Sequence, residues 1–488
     1  MSLARRTSIR LAPDPRRVFS RMFVAGQEDF GSRQSRTSLV IDRVLALTDD
    51  EVREALDDVG RRFTLRHGDL SYWLDVHAHR VTSRLDPTWD VSEDRWRLMG
   101  AFFTHEFSVE GAALTNPSIV PHPDQQGMDD DEARFVMSVR AIGEGHRSSI
   151  GFRTGTVDGK GRVRLDVAHP HLHPGIHGDS MLHRKAFQGL LEDVNDWGEN
   201  ARYVLSQLGE EFSESELEEQ LNRLHHDRDA YRYADDTITH FRMIMDRAYT
   251  VRFPDTRDLS ERILWPNSEA ERRGMEDARF VLFTHTDGTK EYFASYTAFD
   301  GTNISQQLLR TNDFLSFSTF PISGAAAHGK GLALFPRKVG DRYVAMTRAD
   351  HESNWVSFSD DLEYWSHATQ VQRPLRSWEV IQLGNCGSPI ETEEGWLVLT
   401  HGVGAMRTYS IGAMLLDLED PSVVLGTLDQ PLLTPIDSER DGYVPNVVYS
   451  CGSMRHGDTL VLPFGISDHH VGIATASIDE VLSHLTRT

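Results

Sequence analysis

Cysteine is almost absent from this chain of 488 residues, which has only Cys386 and Cys451, far apart in the sequence. Two isolated cysteines exclude a disulfide framework and a cysteine-rich zinc module. Long apolar runs are missing as well: none approaches the roughly eighteen residues that a membrane helix needs. The N-terminus has arginines but no apolar core like that of a signal peptide. We therefore expect a cytoplasmic protein with no membrane partner.

An excess of basic residues is also lacking. Lysine and arginine number 51 against 74 aspartates and glutamates, so the formal charge is −23. A nucleic-acid partner needs a basic face to bind phosphates, and this balance predicts that there is none. If the substrate is an anion, its site must be a local cluster of cations within an acidic protein.

The first part of the chain is predicted to be an arm followed by helices, over residues 1–96. Residues 1–45 are rich in Arg and Ser and weakly patterned. Thr48 and Glu51 have the spacing of a capping box, which predicts a helix start. A second amphipathic stretch covers residues 70–81.

The hydrophobic period then changes to that of short strands. Residues 97–155 are predicted to be the first β-unit, beginning with Met99–Phe103. Residues 156–261 are predicted to be a helical insertion, because 178–250 have a helical pattern that is strongly acidic around 210–219. This insertion separates the first β-unit from the rest.

Residues 262–488 repeat a strand pattern. Units open at Arg279, Leu334, Ser388 and Pro445, about 55 residues apart, a spacing typical of four-stranded propeller blades. With the earlier unit they make five. We therefore predict an all-β core, a five-bladed β-propeller with an N-terminal helical region and a helical insertion. A β-sandwich with helical insertions is the alternative.

Polar residues recur at or near the unit openings, where the first strand of each blade would line a central channel. Burial of such charges at one channel is costly unless a ligand compensates them. A ligand site is therefore predicted, although ion pairs between blades would produce the same pattern. The residues concerned are Asn116, Glu276, Asp277, Arg279, Arg337, Lys338, Glu391, His401, Asn446 and Asp468.

Several of these segments resemble glycoside hydrolase family 130, which contains β-mannoside phosphorylases and inverting β-mannosidases on a five-bladed propeller. The resemblance covers about 97–155 and 262–485. The motifs that carry it are Glu-Asp-x-Arg (276–279), Tyr-Thr-Ala-Phe-Asp-Gly (296–301), Leu-Phe-Pro-Arg-Lys-Val-Gly (334–340), Gly-Trp-Leu-Val-Leu-Thr-His-Gly-Val (395–403) and Gly-Ala-Met-Leu-Leu-Asp-Leu-Glu-Asp-Pro (412–421).

The resemblance implies that Asp277 is the general acid, acting through a sugar hydroxyl that relays the proton to the glycosidic oxygen. A carboxyl that donates near neutrality needs a raised pKa, which we expect repulsion from Glu276 to supply, with Arg279 opposing. Asp131, in a similar stretch of the first unit, is the alternative acid. An inverting reaction leaves space opposite the leaving group for the nucleophile.

A phosphate nucleophile needs guanidinium and ammonium donors. By resemblance, these are Arg337, Lys338, Arg348 and His401, with Arg140 as a further candidate. Each has a simpler reading: Arg348 as a surface strand residue, His401 as a core histidine and Lys338 as the solvated side of a hairpin.

Sugar binding is assigned by the resemblance to Asp300 and Asp468. The sequence departs from the family in having Ala278 after the acid and Gln382 where a lysine is common. The remaining substrate-binding candidates, from their places near unit openings, are Asn116, Glu276, Arg279 and Asn446.

Five histidines invite a metal reading, but they lie in a loop rich in Pro and Gly without a second ligand cluster, so we predict no metal. They are His169, His171, His173, His177 and His183. No cofactor is expected beyond inorganic phosphate as co-substrate.

The leading functional hypothesis is an inverting phosphorylase that cleaves a terminal β-mannosidic bond of a manno-oligosaccharide and releases α-mannose 1-phosphate. An inverting β-mannosidase is the first alternative, and a non-catalytic carbohydrate-binding propeller is the second. The N-terminal helices are expected to form a homo-oligomer contact or a lid.

Overall fold

Most of the regular structure is β-strand, and the helices are concentrated in two stretches of the chain. The computed structural model describes residues 3–24, 36–82, 91–226 and 234–487. Parts of the predicted arm and of the predicted helical insertion, at 1–2, 25–35, 83–90 and 227–233, lie outside the described residues.

The chain forms two units. The larger unit comprises Met1–Pro13, Ala112–Ala168 and Pro174–Thr488, and the smaller comprises Asp14–Gly111 with His169–His173. The structure therefore divides the chain differently from the predicted boundaries at 96, 155 and 261.

The smaller unit is helical, with one two-stranded sheet of Val18–Met22 and Thr104–Ser108. Its helices span Arg36–Ala46, Asp49–Phe63, Leu70–Thr82 and Glu93–Phe102. The predicted capping box is confirmed: Oγ1 of Thr48 accepts from the Glu51 amide, and the Glu51 carboxylate accepts from the Thr48 amide at 2.7 Å.

The prediction that Met99–Phe103 is a β-run is wrong, since these residues end the helix Glu93–Phe102. Gly100 is there because two helices approach closely: a Cβ at this position would lie 1.9 Å from the carbonyl oxygen of Leu74. Met99 and Phe103 are buried in the helical core. Gly100 therefore allows the close contact between two helices and does not interrupt a strand.

In the described part of the larger unit, most strands fall into five groups that are mainly antiparallel, called strand groups one to five below. Groups one and two belong to a single sheet, because Gly274 pairs in parallel with Ser148. Group one consists of Ala113–Pro121, Ala133–Ile142 and Ser148–Val157, with Val163–Leu165 and Ile263–Leu264 paired to the last strand. Group two consists of Gly274–Thr284, Lys290–Phe299, Ile304–Thr311 and Ser316–Pro321.

Groups three to five follow in chain order. Group three consists of Ala333–Leu334, Tyr343–Thr347, Asn354–Ser359 and Ala368–Gln372. Group four consists of Gln382–Asn385, Ile390–Thr392, Gly395–Val403, Tyr409–Leu416, Val424–Thr427 and Thr486–Arg487. Group five consists of Val448–Tyr449, Met454–His456, Thr459–Ile466, His470–Ser477 and Arg5–Leu11.

The start of the predicted N-terminal arm is thus a strand of group five, where Arg5–Leu11 pairs antiparallel with His470–Ser477. The chain's first described strand and one of its last therefore share a sheet. The helix Ile478–Ser483 follows directly.

The predicted insertion contains helices, as expected, but also contributes strands. Ile176–Asp179 and Tyr249–Arg252 extend the outer edge of group two. The short strands Leu182–His183 and Glu211–Phe212 pair with each other. Two helices lie between these short strands along the chain, Arg184–Asp193 and Glu199–Ser206. Two more follow before Tyr249, Glu214–His226 and Ala234–Met245. These helices have an apolar core of their own, which includes Phe187, Phe212 and Phe241.

A largely apolar sequence explains the strand in the middle of group four. Gly395–Val403 is buried at every position, as expected for a strand covered on both faces. Trp365 and Trp396 are among the largest fully buried side chains. None of the described helices is both long enough and apolar enough to span a bilayer.

Candidate active site

A left-handed backbone occurs at several predicted site residues, with φ of 48° at Asn116, 58° at Asp277, 62° at Asn446 and 48° at Asp468. Asn and Asp tolerate this conformation better than other non-glycine residues. Asn116 and Asp277 also lie at irregularities in strand register. A bulge redirects a side chain that would otherwise follow the alternation of the strand.

A cavity of about 450 Å³ is lined by three of these residues, and every strand group, or a loop beside it, contributes to its wall. Its basic side chains outnumber its acidic ones. The lining residues are Asn116, Arg140, Asp277, Ile304, Lys330, Arg348, His351, Gln382, His401, Arg407, Tyr409, Val447, Tyr449 and Asp468.

Asp277 is buried and surrounded by donors and cations. The Asn116 amide donates a hydrogen bond to Oδ1 of Asp277, and a guanidinium nitrogen of Arg140 lies 3.7 Å from the same oxygen. Burial opposes ionisation of this carboxyl, but the charges of Arg140, Lys330 and Arg279 outweigh it and hold the pKa of Asp277 below its ordinary value.

The prediction that Glu276 raises the pKa of Asp277 is therefore contradicted. Oε1 of Glu276 accepts from Arg140 at 2.5 Å, and Oε2 accepts from Lys330 at 2.7 Å. Glu276 is thus paired with two cations, and the pKa of Asp277 lies below rather than above its ordinary value.

Arg279 is hydrogen-bonded to two of the residues that line the cavity, Asp277 and Tyr449. It is buried, and it donates to the carbonyl oxygen of Asp277 at 2.8 Å and to the Tyr449 hydroxyl at 2.9 Å. Among the described residues that line the cavity, Arg279 does not appear. The structure therefore places Arg279 behind two residues that line the cavity, and its predicted contact with substrate stays a prediction.

Arg348 and His401 lie beside each other in the wall of the cavity. Glycine at 384 leaves room for both, because a Cβ there would lie 2.5 Å from Cε1 of His401 and 2.7 Å from Cδ of Arg348. His401 is stacked on the ring of Tyr409, with centroids 6.1 Å apart. Burial, together with the charges of Arg348 and Arg279, lowers the pKa of His401 well below its ordinary value, so the imidazole is neutral.

Asp468 is the second carboxyl of the cavity. Its Oδ1 accepts from the hydroxyl of Thr115 at 3.1 Å. Burial raises the pKa of Asp468, whereas the cations lower that of Asp277. The two carboxyls thus differ in proton affinity, a common arrangement where acid and base roles are divided.

Arg337 and Lys338, both predicted to bind phosphate, are not brought to the cavity. Arg337 forms a two-pronged ion pair with Glu391, at 2.9 and 2.6 Å, and its guanidinium covers the ring of Trp396. The ammonium of Lys338 lies 4.3 Å from the ring centroid of Tyr343. Packing on aromatic rings and pairing with Glu391 hold both cations elsewhere on the sheet.

Two predicted sugar-binding residues are also not among the cavity-lining residues of the described structure. The carboxylate of Asp300 accepts from the amides of Thr302 and Asn303, both at 2.7 Å, and so closes a turn. Asn446 accepts through its carbonyl from the amide of Tyr409 at 3.0 Å. The alternative acid, Asp131, is exposed and does not line the cavity either.

Four further residues line the cavity but are not predicted from the sequence: Lys330, Arg407, Tyr409 and Tyr449. A signal existed for Lys330, which is flanked by Gly329 and Gly331 with φ of 93° and 103°. Such a pair marks a loop with an unusual backbone. Gln382 does line the cavity, where the family often has lysine, and Lys330 supplies an ammonium from another loop.

The histidine run does not form one cluster. His183 Nδ1 lies 2.6 Å from Oε1 of Glu363, and His177 packs against Tyr249. In the smaller unit, His171 packs against His67 and His173 against Trp73.

Residues 217–487, more than half of the chain, match the sequence profile of glycoside hydrolase family 130, described as beta-1,4-mannooligosaccharide phosphorylase. The chain belongs to this family. The predicted membership is confirmed, and so is the prediction of an enzyme of the mannoside phosphorylase class. The match includes Asp277, Lys330 and Arg348 but not Asn116 or Arg140.

Several characterised relatives are similar. A 1,2-beta-oligomannan phosphorylase of Thermoanaerobacter sp. (strain X514) is 32% identical over 227 residues, which are 46% of this chain and 75% of the relative. A beta-1,2-mannobiose phosphorylase of Listeria innocua is 31% identical over 229 residues, 46% of this chain but only 63% of the relative. The solved beta-1,2-mannobiose phosphorylase of Listeria innocua aligns over 83% of this chain and 95% of its own, at 22% identity and a TM-score of 0.46.

Proposed function

We propose that this family 130 member is an inverting phosphorylase that cleaves a terminal β-mannosidic bond of a manno-oligosaccharide with inorganic phosphate and releases α-mannose 1-phosphate. The observation that carries this proposal is the convergence of Arg140, Lys330 and Arg348 on the cavity that contains Asp277. Water needs no such set of cations, whereas a phosphate nucleophile does.

The local charge supports an anionic substrate. Four basic side chains, Arg140, Lys330, Arg348 and Arg407, line the cavity against the two carboxyls of Asp277 and Asp468, although the chain as a whole has a charge of −23. A positive site within an acidic protein attracts an anion to one place on its surface.

The unused hydrogen-bonding groups point in the same direction. In the described part of the chain, buried Nε of Arg140, Nε of Arg348 and Nδ1 of His401 have no hydrogen-bond partner. Buried polar groups are normally paired, so these three favour a ligand rich in oxygen atoms. Phosphate presents such oxygens to guanidinium groups.

The reaction follows from this arrangement. A phosphate oxygen held by the cations attacks the anomeric carbon from the face opposite the glycosidic oxygen, and the configuration inverts. Asp277, once protonated, gives its proton through a hydroxyl of the sugar to the leaving oxygen. The bound phosphate supplies the needed shift, because its negative charge offsets the cations that lower the pKa of Asp277.

The sugar-binding part of the site is assigned to Asp468 and Asn116, with the rings of Tyr409 and Tyr449 beside them. Carboxylate and amide groups pair with vicinal hydroxyls, and aromatic rings pack on the apolar faces of sugars. Asp300 is not included, since its carboxylate closes a turn. Asn446 is not included either, since it is not among the described residues that line the cavity.

We further propose that the five strand groups are the blades of a five-bladed propeller whose axis passes through the cavity. The contribution of every group to the cavity wall supports this architecture. So does the pairing of Arg5–Leu11 with His470–Ser477, which joins the start of the chain to its last group. The predicted homo-oligomer contact of the N-terminal helices stays a prediction.

The test is to incubate the purified protein with β-1,2- and β-1,4-linked manno-oligosaccharides, with and without phosphate, and to measure both mannose 1-phosphate and free mannose. Phosphate-dependent release of mannose 1-phosphate is expected. Free mannose released at equal rates in both conditions would show hydrolysis, for which Asp468 is the available second carboxyl. Absence of both products with every linkage would favour a binding protein.

A further inference from the structure

Glu276 precedes the proposed acid in the sequence but does not belong to the described lining of the cavity. Its side chain is 9% exposed, and each of its oxygens is bound by a different cation. Arg140 donates to Oε1 at 2.5 Å and Lys330 to Oε2 at 2.7 Å. Both cations line the cavity that Glu276 itself does not reach.

Arg140 is shared unequally between two neighbouring carboxylates. One guanidinium nitrogen is 2.5 Å from Glu276, and another is 3.7 Å from Asp277. Since Coulomb attraction falls with distance, Glu276 takes the larger part of this interaction. Of the carboxylates of Glu276 and Asp277, Lys330 is hydrogen-bonded to that of Glu276. Without the charge of Glu276, both cations would act fully on Asp277.

We propose that Glu276 is a positioning residue that acts through Arg140 and Lys330: it holds the two cations at the wall of the cavity and withholds part of their charge from Asp277. Glu276 thereby keeps Asp277 within reach of protonation when phosphate binds. This inference rests on the proposed function, because it assumes that Asp277 must carry a proton to act.

The groups around Asp277 set the sign of the expected effect. Cations already hold the pKa of Asp277 below its ordinary value, so the loss of a nearby negative charge lowers it further. The charged and titratable groups that face Asp277 from its own strand and from the elements packed against it are Glu276, Arg279, Arg140, Lys330, Asp468, Tyr449 and Cys451.

The experiment compares the pH dependence of kcat for wild type, Glu276→Gln and Glu276→Asp at saturating phosphate. Since Asp277 must be protonated to donate, activity falls as the pH rises through its pKa. In Glu276→Gln this basic limb is expected at least about half a pH unit lower. The KM for the mannoside is expected to stay unchanged in Glu276→Gln. In Glu276→Asp, which keeps a carboxylate, the basic limb is expected between those of wild type and Glu276→Gln. Glu291→Gln is the matched control, a buried carboxylate that is ion-paired with Arg310 away from the cavity.

Two results would overturn the inference. If the limb of Glu276→Gln stays in place while its melting temperature falls, Glu276 is only structural. If the KM for the mannoside rises with an unchanged limb, Glu276 binds sugar directly.

Failure of the proposed function is a separate outcome. If wild type releases mannose but no mannose 1-phosphate, the same pH limb can still be measured through mannose release. If wild type shows no turnover, the carboxyl ¹³C resonance of Asp277, assigned by its absence in Asp277→Asn, reports the titration. An unchanged midpoint in Glu276→Gln would then contradict the inference by itself.

Discussion

The side-chain amide of Asn116 donates to Oδ1 of Asp277, although 161 positions separate the two residues in the sequence. Both have a left-handed backbone, with φ of 48° and 58°. A left-handed backbone at non-glycine positions is uncommon and recurs at functional sites. Here it brings an amide of strand group one onto the carboxylate of group two, so the proposed acid is oriented before any substrate binds.

Asp277→Asn is expected to abolish turnover. The amide has no proton to donate to the leaving oxygen, and general acid catalysis typically contributes 10²- to 10⁴-fold in rate. We expect kcat to fall by at least about 100-fold with the melting temperature nearly unchanged. Asp131→Asn is the comparison, since Asp131 is exposed. A Asp277→Asn variant that keeps most of its rate would assign the acid to another residue.

Arg348→Gln is expected to weaken phosphate binding. A hydrogen bond to a charged group contributes about 1.5–3 kcal/mol, so the KM for phosphate should rise roughly 10- to 100-fold. Arg337→Gln is the matched control, because Arg337 pairs with Glu391 and packs on Trp396. Initial rates at varied phosphate separate the two variants. If Arg337→Gln raised the KM for phosphate as much as Arg348→Gln does, Arg337 would also be a phosphate-binding residue.

Gly384→Ala is expected to displace the guanidinium and imidazole beside it. The new methyl group would lie 2.5 Å from Cε1 of His401 and 2.7 Å from Cδ of Arg348, well inside van der Waals contact. We expect a stability loss of about 1–3 kcal/mol together with a higher KM for phosphate. Gly288→Ala is not a suitable control, since Gly288 has a positive φ of 86°; Gly198→Ala meets no atom within 4 Å and is suitable. If the KM for phosphate were unchanged in Gly384→Ala, the result would contradict a role of Arg348 in phosphate binding.

The smaller unit should lose stability in acid because of His77. Burial, with the charges of Arg80 and His105, lowers the pKa of His77 from 6.5 to about 4. The unfolded chain therefore binds this proton at a higher pH than the folded protein does. The contribution to stability is complete above pH 6.5 and is lost as the pH falls to about 4, by up to roughly 3 kcal/mol.

Denaturant unfolding of the wild type and His77→Gln at pH 7 and pH 5, followed by the helical signal, measures this effect. His77→Gln keeps a polar side chain near the hydroxyl of Thr104, which lies 2.7 Å from Nδ1 of His77. The variant should lose less stability between the two pH values. An equal loss in both proteins would place the acid sensitivity elsewhere.

The sequence by itself determined the β-rich class, the family and the segment 276–279, which contributes Asp277 to the cavity. Strand periodicity, the spacing of the repeated openings and the motif at 276–279 depend on neighbours along the chain, which are visible without coordinates. Thr48 and Glu51 were predicted for the same reason, since a capping box is a local pattern.

The tertiary structure alone decided which cations meet Asp277. Arg337 and Lys330 are both cations on nearby segments. Arg337 packs on Trp396 and pairs with Glu391, whereas Lys330 pairs with Glu276. The tertiary structure also paired Glu276 with Arg140 and Lys330, two partners that the sequence did not indicate. Pairing and burial depend on contacts between residues far apart in the chain, and the pKa of a carboxyl follows those contacts, which no local pattern records.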